Sequence, residues 1–146
     1  MSEHNLLAIL VGSIAGFGFG ALWYSPVAFL NPWMPEAGIT PDVHLKNPGK
    51  VFGGSFVFTL VAAVALAYLL GPQPELPKAV LVGALTGLCL VGGSMGANYL
   101  FVNRSITFWM IDASFHVFRL ATVGLGSVCG TKSGRHTIGR FADRAR

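Results

Sequence analysis

Charge is scarce in this chain. Asp, Glu, Lys and Arg make up 11% of its residues, against roughly a quarter in a soluble domain. So little charge beside 53% hydrophobic residues points to lipid as the solvent. Cysteine is nearly absent too: Cys89 and Cys129 fall at different depths of their apolar runs, too far apart for a disulfide, and are expected to be buried thiols without a redox role. Metal and cofactor patterns are missing. No Cys/His cluster has zinc spacing, and no glycine-rich phosphate loop follows a strand. A bis-histidine haem would need His116 from two copies, because His4, His44 and His136 lie outside the apolar runs. One helix face carrying Asp112 and His116 is a poor source of a Ser/His/Asp triad. No cofactor, no metal and no enzymatic activity are therefore expected.

What the chain does have is four long apolar runs, at 6–30, 51–70, 79–101 and 106–128. Each meets the requirement of about 20 mostly apolar residues for a span. Inside hydrocarbon every backbone N–H and C=O must be satisfied within its own segment or in a closed barrel, and these runs are too long for barrel strands. The predicted fold class is an all-α integral membrane protein, an antiparallel four-transmembrane-helix bundle over residues 1–130. The first run is expected to be retained, since Met1-Ser2-Glu3-His4 offers no basic n-region and the run exceeds a signal-peptide core.

Orientation follows from the ten Lys and Arg residues, because translocated loops are poor in them. Lys78, Lys132, Arg135, Arg140, Arg144 and Arg146 share one side. Lys46, Lys50 and Arg104 lie on the other, and Arg119 is inside the fourth run. The excess predicts both termini in the cytoplasm, in a bacterial inner (plasma) membrane.

The segment 31–50 contains Pro32, Pro35, Pro41 and Pro48, so it can hold neither a long helix nor a central strand and should cap the helix ends. The loops at 71–77 and 102–105 are short, which makes consecutive helices neighbours. The tail, 131–146, is basic, with Ile138, Phe141, Ala142 and Ala145 at helical spacing. Such a segment can lie on an anionic leaflet; the alternative is a solvated tail that only sets topology. It lacks a recognition fold for nucleic acid.

Small residues recur every fourth position: Gly12, Gly16 and Gly20 in the first run, and Ser55, Thr59, Ala63 and Ala67 in the second. Gly83 with Gly87, and Gly92 with Gly96, extend the pattern into the third. Lipid tails give helices no hydrophobic drive to associate, so close backbone approach at small residues must do it. Packing within the bundle and a homo-oligomer interface both fit these rows.

The first run ends in Gly20-Ala21-Leu22-Trp23-Tyr24-Ser25-Pro26, with Phe29 and Trp33 following. Trp and Tyr favour the headgroup level. Pro26 cannot donate to the Leu22 carbonyl, so the helix should kink or end there and leave backbone for Ser25 or a neighbour to satisfy. A small outward-facing site and a plain aromatic anchor are both compatible with this break. By these residues, above all Trp23-Tyr24-Ser25-Pro26, together with the four-run layout and Ile111-Asp112 entering the last run, the chain resembles the membrane proteins of domain of unknown function 1761. The resemblance covers 6–130 and implies a four-helix membrane fold with no assigned activity. His116 and Arg119 lie outside its pattern.

Asp112, His116 and Arg119 are spaced i, i+4 and i+7, which puts them on one face of a helix. Ionisable groups in a span are costly and normally face the bundle and pair. Long side chains lean toward the helix N-terminus, so Arg119 is expected to reach back toward Asp112 in a charge-balanced ladder. Asn98 and Tyr99 from the third run, and Tyr24 and Ser25 from the first, should approach Asp112. Structural glue, a proton or ligand site, and an unpaired functional charge are the readings open to this stripe. The expected role is a structural or accessory membrane component; the alternative is a small transporter or channel-like protein moving a proton or small solute along Asp112, His116 and Arg119.

Overall fold

The structure is a computed structural model that describes residues 6–40 and 47–144, with side chains through 129. The order of elements is α1 (Leu6–Trp23), α2 (Leu30–Ala37), α3 (Pro48–Leu70), α4 (Leu76–Leu85), a π-helical segment (Thr86–Gly92), α5 (Gly93–Phe101) and α6 (Ile106–Arg144). No strand occurs among the described residues. Among the described residues, three helices are long and apolar enough to cross a membrane: Leu6–Trp23, Pro48–Leu70 and the rod Leu76–Phe101. Such helices are compatible with a membrane location.

Every other element packs on α6. Its apolar run is interrupted by Asp112, His116 and Arg119, so the most polar of the long helices is the one that the others enclose.

Side-chain size is distributed inside out. Leu6, Phe58, Leu100 and Phe101 are 73%, 76%, 79% and 88% exposed, whereas the interior is built largely of Ala8, Ser13, Ala63, Ala67, Ala79 and Val123. Exposed large apolar groups cost nothing against lipid tails, while small interior residues let backbones meet. Contact at the glycines is direct. A Cβ on Gly16 would lie 2.6 Å from Cγ2 of Val123, and one on Gly12 would lie 2.8 Å from the Val123 carbonyl oxygen. Gly20 faces the ring of Phe115. On the other side of α6, Gly83 meets the Leu120 backbone and Gly124 meets that of Ala79. These rows are used inside the chain, between α1, α4 and α6. Polar side chains in the same layers turn onto their own helices: Ser13, Thr122 and Ser127 each donate to the carbonyl four residues earlier.

The helix ends follow local chemistry. Tyr24-Ser25-Pro26 stops α1, and the Leu22 carbonyl that Pro26 cannot serve accepts from the Ser25 hydroxyl at 2.6 Å. The expected first run, 6–30, thus holds a helix only to Trp23. The proline-rich segment after it contains the short helix α2, closed by Gly38 at φ 71°, and Pro48 opens α3 at its first position.

Three expectations change. The third run contains a π-helical segment, which places Gly87 against the His116 carbonyl; a Cβ there would lie 2.5 Å from that oxygen. Helix α6 does not end near 128 but runs as helix to Arg144. The amphipathic reading of 131–146 concerns side chains that lie outside the described residues. Finally, Cys89 and Cys129 are free as expected, but both are exposed on the chain rather than buried.

Candidate polar site between the helices

Asp112 is 6% exposed and lies in the first two turns of α6, which are flanked by α5 and by the end of α1. Its carboxylate is held by three neutral donors. Tyr24 Oη and Trp33 Nε1 both donate to Oδ1 at 2.8 Å, and Tyr99 Oη donates to Oδ2 at 2.6 Å. The donors come from the α1 terminus, α2 and α5, so one carboxylate ties three segments to α6. Hydrogen bonds to a charged acceptor are short and strong, and they are stronger where water is excluded. The rings also pack on one another: Tyr24 is edge-on to Trp33 and to Phe115, and Tyr99 stacks on Phe108.

A second fastening lies beside this cradle, at the outer surface of the chain. Glu36, on α2, accepts the Ser105 hydroxyl on its carboxylate, and its backbone carbonyl accepts from Arg104 Nη1 at 3.2 Å. No residue of α2 is buried, so Trp33 and Glu36 supply its polar attachments to the start of α6.

Farther along the stripe the polar groups are less well served. Arg119 Nη1 donates to Thr59 Oγ1 of α3 at 3.1 Å, and that hydroxyl donates in turn to the Ser55 carbonyl. The Arg119 guanidinium also lies over the Phe115 ring, 5.4 Å from its centre. Its Nε and the Nδ1 of His116 are buried with no hydrogen-bond partner, as is Nε1 of Trp23. Trp23 is enclosed by aromatic rings, with Phe29 stacked at 4.3 Å and Phe118 at 5.6 Å.

Of the residues expected to meet Asp112, Tyr24 and Tyr99 do so. Ser25 turns to its own helix, and Asn98 is exposed on α5. Direct pairing of Asp112 with Arg119 does not form, and no carboxylate among the described residues is ion-paired to Arg119. The reason is geometric. Seven residues separate the two by about 10 Å along the axis, and nearer donors occupy both carboxylate oxygens. Trp33 was legible only as an anchor, since nothing local to it signals a bond to a residue 79 positions away. Trp109 was also missed: its Nε1 donates to the Gly92 carbonyl at 2.8 Å, where the π segment passes into α5. Among the described residues no group of His, Cys, Asp and Glu is arranged to hold a metal.

Residues 7–129 match the family model described as "Protein of unknown function (DUF1761)". The chain belongs to the DUF1761 family. No curated protein and no solved structure matches it. The DUF1761 match takes in Tyr24, Trp33, Tyr99, Asp112, His116 and Arg119 alike.

Proposed function

We propose that the chain is a multi-pass membrane protein in which α6 is the fourth span of an antiparallel bundle, and that its role is structural or accessory. The observation that supports this reading is the Asp112 cradle. A carboxylate with both oxygens occupied by Tyr24, Trp33 and Tyr99 is built to fasten helices together. As the fourth span, α6 turns Asp112, His116 and Arg119 toward the other helices and away from lipid. Its 39 residues would extend about 58 Å, well beyond a hydrocarbon core of about 30 Å. The basic end then projects into the cytoplasm, where it can contact anionic lipid, with both termini on that side of a bacterial inner membrane by the excess of Lys and Arg.

A second reading, passage of a proton or small solute, draws on the unserved Nε of Arg119 and Nδ1 of His116. Proteoliposomes with a trapped pH-sensitive dye separate the two. Under an imposed potential the structural reading expects no proton flux above protein-free vesicles, and flux abolished by Asp112→Asn would overturn it. Reporter fusions at Arg146 and in the 72–77 loop should score cytoplasmic, and one in the 40–47 segment external.

A further inference from the structure

We propose that Arg119 and His116 form a binding site for a carboxylate within the bundle. Arg119 carries a positive charge that no acidic side chain among the described residues meets in an ion pair, the oxygens of Asp112 being taken by Tyr24, Trp33 and Tyr99. A buried unpaired charge is expensive and is retained where something compensates it. The donors are only partly spent. Nη1 is used on Thr59, whereas Nε and the neighbouring His116 Nδ1 have no partner. Guanidinium Nε and Nη groups form the fork that takes a carboxylate in two parallel bonds, and a His116 N–H can add a third.

The surroundings favour a singly charged ligand. One guanidinium balances one carboxylate, whereas a phosphate dianion would leave excess charge beside the Phe115 ring. The guanidinium carbon lies 5.4 Å from the centre of the Phe115 ring. One protein hydroxyl, that of Thr59, takes a guanidinium donor while donating to its own helix, and it leaves Nε unserved.

Access lies along α3. From Thr59 to Leu70 this helix contributes buried residues at each turn, but none from Pro48 to Phe58. A Cβ on Gly53 or Gly54 would find nothing within 4 Å. Helix α3 is therefore more loosely covered on the Pro48 side of Thr59, the residue that holds Arg119, where Phe56 still packs edge-on against Phe17 of α1. His116 and Arg119 are only half-buried as residues, although Nε and Nδ1 themselves are buried, so a ligand would reach them by a rearrangement of the arginine side chain.

The test uses the full chain in a nonionic detergent, with sodium decanoate, sodium acetate, decanol and inorganic phosphate as probes. Binding is followed by titration calorimetry and by the shift of a 13C-labelled carboxyl carbon. The expected result is saturable decanoate binding, with no response to decanol or phosphate, and an affinity weakened about 10- to 100-fold in Arg119→Gln. Binding of decanoate alone assigns a fatty carboxylate from the bilayer, and equal binding of acetate assigns a small aqueous one. If Arg119→Gln does not fold, wild-type protein still decides, because the bound 13C-carboxylate should show cross-relaxation to the His116 ring protons. No saturable carboxylate binding, binding unchanged in a folded Arg119→Gln, or no contact with His116 overturns the proposal.

Discussion

The indole N–H of Trp33 donates to Oδ1 of Asp112 at 2.8 Å, joining an otherwise unburied helix to the central one. Because that bond reaches a charged acceptor, it should be worth about 1.5–3 kcal/mol. Trp33→Phe keeps an aromatic ring beside Tyr24 and Phe108 but removes the donor. The variant should melt at a lower temperature in detergent. It should also be cleaved faster by protease in the segment between α2 and α3.

Removing the acceptor should cost more than removing one donor. Asp112→Asn replaces a charged acceptor with an amide that has only one acceptor oxygen for Tyr24, Trp33 and Tyr99. The cost of breaking a buried charged network is about 3–5 kcal/mol. Chemical unfolding of Asp112→Asn beside Tyr99→Phe measures the difference. Equal losses would mean that Tyr99 alone carries the cradle.

Asp112 and Arg119 share no hydrogen-bonding partner. In a double-mutant cycle, Asp112→Asn and Arg119→Gln should therefore add to within about 0.5 kcal/mol. A coupling of several times that value would mean that the two side chains pair directly in solution.

Gly16 and Gly87 press on α6 from α1 and from the π segment, where a Cβ would come within 2.6 Å of Val123 Cγ2 and 2.5 Å of the His116 carbonyl. Gly87→Ala meets backbone, which cannot rotate away, whereas Gly16→Ala meets a methyl group that can. Both should lower the melting temperature, Gly87→Ala by more. Gly53→Ala, where nothing lies within 4 Å, should not lower it, since alanine is the better helix former, and serves as the control.

Trp109 caps the end of the π segment through the Gly92 carbonyl. A wide π turn lasts only where the surroundings hold it. Trp109→Phe should speed amide hydrogen exchange over residues 86–96 and leave exchange in α1 unaltered.

Much of this arrangement depends on residues whose meaning is local. Pro26 ends α1 because proline cannot donate, and Ser25 is close enough to serve the freed carbonyl. The 3.6-residue period alone puts Asp112, His116 and Arg119 on one stripe of α6, the helix on which every other element packs. Small residues at every fourth position mark where backbones meet, whatever the partner.

Tertiary structure decided which groups answer one another. Asp112 takes its donors from Tyr24, Trp33 and Tyr99, which are 88, 79 and 13 positions away. No spacing rule selects them over Ser25 or Asn98, because the choice depends on how each helix is rotated when its small face meets α6. Charge complementarity along the stripe suggested that Arg119 would pair with Asp112. Two turns of helix and the nearer phenols and indole settled otherwise, leaving Arg119 on Thr59 of α3 with donors unspent. The sequence by itself determined which residues share a helix face, since that depends only on period; which partner each one found was decided by the relative placement of helices that are far apart along the chain.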